Sequence, residues 1–244
     1  MRNLRLDICY DGTKYKGFQR LGNSDNTIQG KLEKTLSRLL GEDIEVSGSG
    51  RTDAGTHALG QVVSFHCESD MSCDEILSGL RSYLPEDFGV YSCKNVSPRF
   101  HARLNAKTKT YRYRLWNSQN PCVFKRKYVY IEPAELNVER MQNAAKAYIG
   151  THDFSAFCGN KHMKKSTVRC IHRFCVERVG DEVVFTVTGN GFLQHMVRIM
   201  VGTLVEIGKG EREVDGIPAL YGGERAQAGP AVPACGLCLM EVTY

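Results

Sequence analysis

The stretch SGSGRTDAGTHALGQ, residues 47–61, sets Arg51, Thr52 and Asp53 among four glycines, with His57 four residues past the aspartate. Gly48, Gly50 and Gly55 suit a tight backbone with positive φ values or a close approach to a ligand. A loop of this kind between two strands can hold side chains rigidly while exposing them. Asp53 then offers a carboxylate, and Arg51 a cation, where a ligand can reach both. An isolated D-x-G also suits a plain β-turn whose carboxylate bonds nearby amides, and spacing alone does not separate the two. A second chemistry is suggested by Cys158, His162, Cys170, His172 and Cys175, which fall within eighteen residues, and by the C-x-x-C of Cys235 and Cys238. These are zinc-ligand types, although their spacing departs from paired C-x2-C knuckles.

Charge points to a third kind of chemistry. The net charge is only +5, but between Phe88 and Ile131 there are ten Lys and Arg and no Asp or Glu. Shorter blocks repeat the pattern at 12–24 and 154–176. Segregated cations fit a surface that meets a polyanion, because each phosphate neutralised releases condensed counterions. Around the predicted strand 109–117, Lys107, Lys109, Arg112 and Arg114 interleave with Tyr111 and Tyr113, which predicts cations on one face and aromatics on the other.

The elements that must position these groups follow from periodicity. Leu4, Leu6, Ile8 and Tyr10 alternate as in a half-buried strand, and a turn-rich stretch follows at 10–26. Asn26 with Gln29 reads as a capping box before a helix that carries Ile28, Leu32, Leu36, Leu39 and Leu40 on one face. Short strands are predicted at 44–47 and 61–66, a helix capped by Ser72 and Glu75 to about Tyr83, and a strand at 89–96. The same β-α-β-β-α-β order repeats after Lys109: strand 109–117, helix 137–149, strands 168–178 and 183–188, helix 192–207, and a final strand 237–244. Residues 208–234, rich in Gly, Pro and Ala, read as a surface connection. The expected class is α+β: two ferredoxin-like halves, 1–105 and 106–244, joined into one mostly antiparallel sheet with helices on one face and a cleft between the halves. No stretch approaches the roughly 18 apolar residues of a membrane span, and Met1 to Tyr10 lacks the uniform apolarity of a signal peptide. The ten cysteines are scattered through a chain of ordinary size, so most are expected as reduced thiols in a cytoplasmic protein.

The sequence GRTDAGTHALGQVVSF resembles the active-site signature of the TruA family of tRNA pseudouridine synthases, G-R-T-D-x-G-V-H. Other parts of that family's pattern occur in order. YDGTKYKGFQR at 10–20 is similar to its opening strand and loop, FHARLNAKTKTYRYRLWN at 100–117 to its H-A-R followed by Y-x-Y, and NGFLQHMVRIMVGTLVEIG at 190–208 to its F-x-x-H-M-V-R helix. PACGLCLMEVTY is similar to its closing strand. Thr56 stands in place of the usual Val, Phe18 in place of a frequent Trp and Leu21 in place of a frequent Gln; none removes an ionisable group.

The resemblance implies an isomerase that breaks the sugar bond to uracil N1, turns the base and rejoins it through C5 in the anticodon stem-loop of tRNA, at positions 38–40. Nothing is added or lost in that reaction, so it implies neither a redox cofactor nor a metal. Asp53 is the implied catalytic carboxylate, acting by covalent attack or by removing a sugar proton. Tyr111 is implied to stack on the base and serve as the later base at C5, Arg198 to pair with Asp53 and keep it ionised, and Arg51 to take the flipped nucleotide's place in the stem. The family works as homodimers with one tRNA across both subunits. The alternative is a non-catalytic RNA-binding module, with or without zinc in the Cys and His cluster.

Overall fold

The computed structural model describes residues 1–22, 24 and 26–244; of the turn-rich stretch at 10–26, residues 23 and 25 lie outside the described residues. The chain divides into two units, residues 1–107 with 238–244, and residues 108–237.

In the first unit the order is β1 (Arg2–Tyr10), α1 (Ile28–Leu40), β2 (Ser47–Gly48), β3 (His57–Cys67), α2 (Cys73–Tyr83) and β4 (Phe88–Val96). β1 lies between β4 and β3, antiparallel to both, and β2 pairs antiparallel with β3. The predicted alternation holds: Leu4, Leu6, Ile8 and Tyr10 are buried, with Leu4 opposite Phe65 and Leu6 opposite Val63 on β3. Leu32 and Leu36 of α1 and Ile76 and Leu80 of α2, one turn apart on each helix, are fully buried as well.

Both helix starts are capped, but not both as the sequence suggests. Ser72 and Glu75 form the predicted capping box on α2. On α1 the cap is Thr27, whose extended backbone lets its side chain accept from the Gly30 N–H at 3.1 Å. Asn26 instead donates to the Lys14 carbonyl, and Gln29 spends its amide on Glu33 and Val46. The predicted strand at 44–47 is also displaced, to Ser47–Gly48.

The second unit holds β5 (Thr108–Trp116), β6 (Tyr130–Ile131), α3 (Val138–Ala145), β7 (Gly150–Asp153), β8 (Val168–Val179), β9 (Glu182–Gly189) and α4 (Met196–Lys209). β5, β9, β8 and β7 form an antiparallel run in that order, and β6 pairs parallel with β5. The chain's last strand, β10 (Leu237–Thr243), returns to the first unit and runs parallel to β3, Cys238 opposite His57 and Leu239 opposite Ala58. The class is α+β, with mostly antiparallel strands in each unit.

Two expectations for the second unit need correction. The stretch 208–234 is more than a surface connection: α4 runs on to Lys209, and Ile217, Leu220, Ala228 and Val232 are buried. On β5 only Arg112 and Arg114 share the face opposite Tyr111 and Tyr113, because Lys107 and Lys109 have the same parity as the tyrosines.

Arg114 is committed to structure rather than to an RNA surface. Its Nε and Nη2 donate to the buried Glu182 carboxylate at 2.6 and 2.8 Å, and Lys125 Nζ donates to the same group at 2.7 Å. Hydrogen bonds from Arg114 hold the Glu182 carboxyl below the usual carboxylate range. Its contribution to stability is therefore complete above the ordinary glutamate value of about 4.3 and is lost as pH falls through the lower folded value. Glu182→Gln is expected to cost about 1–3 kcal/mol at neutral pH. It should also flatten the acid-side fall of Tm, measured by calorimetry from neutral pH to about pH 3; a variant whose Tm falls as steeply as that of wild type would contradict the assignment.

Candidate active site

The R-T-D loop is fastened residue by residue. Ser49 N–H donates to the Val62 carbonyl, Ser49 Oγ to Gln61 Oε1 at 2.5 Å, and Gln61 Nε2 to the Gly50 carbonyl at 2.9 Å. Thr52 Oγ1 and the Tyr10 hydroxyl share a hydrogen bond of 2.8 Å, and burial pushes the Tyr10 phenol up to about 12, so it stays a neutral partner. After Asp53 the chain reverses in a turn closed by Thr56 N–H to the Asp53 carbonyl, 3.1 Å. Gly55, at φ 78°, takes the left-handed third position that this turn demands.

The other face of the loop rests on the segment YDGTKYKGFQR. Phe18 N–H donates to the Thr52 carbonyl and Gly55 N–H to the Tyr15 carbonyl. Gly17, at φ 99°, approaches so closely that a Cβ there would stand 3.0 Å from the Thr52 carbonyl oxygen. Gly48 lies against the Phe18 ring, and a side chain at 48 would overlap it. Gly12 N–H donates to His57 Nδ1 at 3.1 Å, and that nitrogen is also 3.1 Å from Asp11 Oδ1. His57 is buried and serves here to join the two segments. Two motifs some forty residues apart in the sequence are thus one object, and Asp53 sits half-buried at its edge with Arg51 exposed beside it. The buttressing roles of Tyr10, Gly17 and Gln61 were not read from the sequence; the only hint was that the glycines of 10–20 occur within a matched motif.

In the second unit Tyr111 is 7% exposed on β5, opposite Val187, its ring packed edge-on against Phe192 at 5.1 Å. Arg198 is the third residue of α4, which begins from His195 in the left-handed region, φ 60° and ψ 2°. A non-glycine residue rarely adopts this conformation, and here it directs the helix that carries Arg198. Arg198 Nε donates to the Val232 carbonyl at 2.6 Å, and Val232 N–H returns a bond to the Arg198 carbonyl. The next carbonyl, Pro233, accepts from the Tyr113 hydroxyl at 2.8 Å, a phenol that burial drives well upward. Residues 228–233 thus form a strap across α4: Gly229 N–H bonds Thr203 Oγ1 at 3.0 Å, and Pro230 lies where any side chain on Gly202 would be. The sequence placed this strap outside the site, since Gly and Ala content reads as loop.

Of the proposed site residues, then, Asp53 and Arg51 share one loop of the first unit, while Tyr111 and Arg198 stand in the second. The Cys and His residues of 158–175 do not converge on a centre: among the described residues no group of three or more His, Cys, Asp or Glu could hold a metal ion, and Cys170 Sγ lies 3.7 Å from His172 Nδ1. Among the described residues, too, no helix is long and apolar enough to cross a membrane.

Comparison with known proteins bears on the whole length of the chain. The sequence model described as tRNA pseudouridine synthase matches residues 8–105 and 144–244. The chain is 44% identical over 245 residues to tRNA pseudouridine synthase A 2 of Bacillus cereus (strain ZK / E33L). It is also 44% identical to tRNA pseudouridine synthase A of Bacillus sp. (strain KSM-64), and 45% identical to tRNA pseudouridine synthase A 1 of Clostridium tetani (strain Massachusetts / E88). Each alignment covers 100% of this chain and 100% of the relative. With the fastened R-T-D loop and the Arg198 helix inside the residues that the sequence model matches, and the Tyr111 strand inside the full-length alignments to these relatives, the chain belongs to the tRNA pseudouridine synthase family.

Proposed function

We propose that this family member, an isomerase acting on tRNA, converts uridines of the anticodon stem-loop at positions 38–40 with Asp53 as the essential carboxylate. The observation that carries the reading is the Asp53 loop, pinned by backbone and side-chain bonds on both sides. A carboxylate that must meet the sugar of an extruded nucleotide gains from such fixation, because misplacement by about 1 Å can cost about 100-fold in rate. In the reaction the bond from the sugar to N1 breaks, a bond from the sugar to C5 forms, and the C5 proton leaves as N1 gains one. Covalent attack and abstraction of a sugar proton to give a glycal both start from the ionised Asp53. Arg198 supplies the charge that favours that form, Tyr111 stacks on the uracil and receives the C5 proton, and Arg51 fills the gap left in the stem. The enzyme acts as a homodimer with one tRNA across both subunits, in the cytoplasm.

Unmodified tRNA transcripts carrying tritium at uracil C5 test this. One tritium released per pseudouridine formed is expected, abolished when positions 38–40 hold cytidine. Release that survives those replacements would move the target site. No release from any tRNA would leave an RNA binder. A monomeric mass by light scattering would overturn the dimer.

A further inference from the structure

Between β5 and β6 the chain makes a loop, residues 117–129, whose tip presents Phe124 at 95% exposure and Val123 at 56%. Single exposed apolar side chains are ordinary, but here two neighbours, Val123 and Phe124, stand in water together at the tip of one loop. Phe124 is followed by Lys125, Arg126 and Lys127, within the long stretch that has no carboxylate.

The loop is held from beneath. Asn117 Nδ2 donates to the carbonyls of Glu132 and Ala134 at 2.8 and 2.7 Å, and Trp116 Nε1 to that of Asn120 at 2.9 Å. Lys125 Nζ reaches Glu182 while lying 5.5 Å above the Trp116 ring. Tyr128 N–H closes a turn onto the Lys125 carbonyl, and Arg126 Nη1 bonds the Val123 carbonyl. Lys125, although half-exposed, is therefore a strut tied to Glu182, and the turn it builds carries Phe124 at its tip, with Arg126 and Lys127 exposed beside it.

We propose that Phe124 is a stacking platform for an unpaired nucleotide of the RNA substrate, with Lys127 and Arg126 on the phosphates that flank it. A flat apolar ring suits the π-face of any base, and adjacent cations suit the backbone on either side. Charge decides against a second copy of this chain, because two such loops would bring their cations together. The inference rests on the reading that the chain acts on tRNA.

Equilibrium binding of unmodified tRNA across a salt series, steady-state turnover and light scattering should be measured for wild type, Phe124→Ala, Phe124→Trp and Lys127→Ala. Phe124→Ala is expected to raise Kd and KM about 10-fold, as loss of one stacked base does, with kcat within about twofold and the salt slope unchanged. Phe124→Trp should restore binding. Lys127→Ala should instead reduce the salt slope by about one. A Phe124→Ala enzyme that binds tRNA as wild type does would sink the platform while leaving the enzyme reading intact. Weakened binding accompanied by a drop in oligomeric mass would sink it too, and assign the loop to contact between copies. Failure of wild type itself to bind tRNA would overturn both readings.

Discussion

Asp53→Asn is expected to stop tritium release, lowering turnover by about 1,000- to 10,000-fold, in the upper range for a positioned acid–base group, while tRNA binding changes by less than about threefold. The asymmetry comes from how the loop is held. The bonds that fasten it run through the Thr52 hydroxyl, the Gln61 amide and main-chain groups of residues 49–56, and Asp53 enters that set through its carbonyl. Asparagine keeps the carbonyl and the shape of the side chain and removes the charge. Circular dichroism and tRNA affinity should therefore match wild type. Release persisting in this variant would remove Asp53 from the chemistry; a parallel loss of binding and secondary structure would show that its role is to hold the fold.

Gly12→Ala is also expected to lower turnover, by a smaller factor and without removing an ionisable group. A Cβ on Gly12 would lie 2.6 Å from the Thr56 carbonyl carbon and closer still to its oxygen, both main-chain atoms that cannot rotate away. Relief requires the 11–15 segment to back off, which stretches the Gly12 to His57 bond and releases the support under residues 52–56. A displacement of about 1 Å at Asp53 predicts a loss of about 100-fold in kcat, with overpacking costing about 1–3 kcal/mol of stability. Gly22→Ala is the matched control, since nothing stands within 4 Å of a Cβ there. Equal activity of the two variants in single-turnover tritium release would refute the buttress.

Local patterns were legible in the sequence where one segment determines them. The alternation of Leu4, Leu6 and Ile8 and the Ser72–Glu75 box are of this kind, because periodicity and capping act within a few residues. The R-T-D loop was legible as a turn, and its meaning came from resemblance in distant segments. What escaped were contacts set by shape between segments far apart in sequence. Thr27 displaced Asn26 as cap because Asn26 was needed on the Lys14 carbonyl, a tertiary demand that outranks cap preference. The strap over α4 escaped for a related reason: glycine permits both a slack loop and a backbone laid flat on a helix, and composition does not distinguish them. Lys107 and Lys109 were assigned to the wrong face through parity alone.

The place of β10 bears on the order in which the molecule is made. Residues 238–244 emerge from the ribosome after all of residues 108–237, yet they complete the first unit by lying along His57 and Ala58, the residues that follow the Asp53 turn. Domains tend to fold as units during synthesis. Here the unit translated first is finished last, so a nascent chain can complete its second unit while the start of β3 still waits for the strand that will cover it.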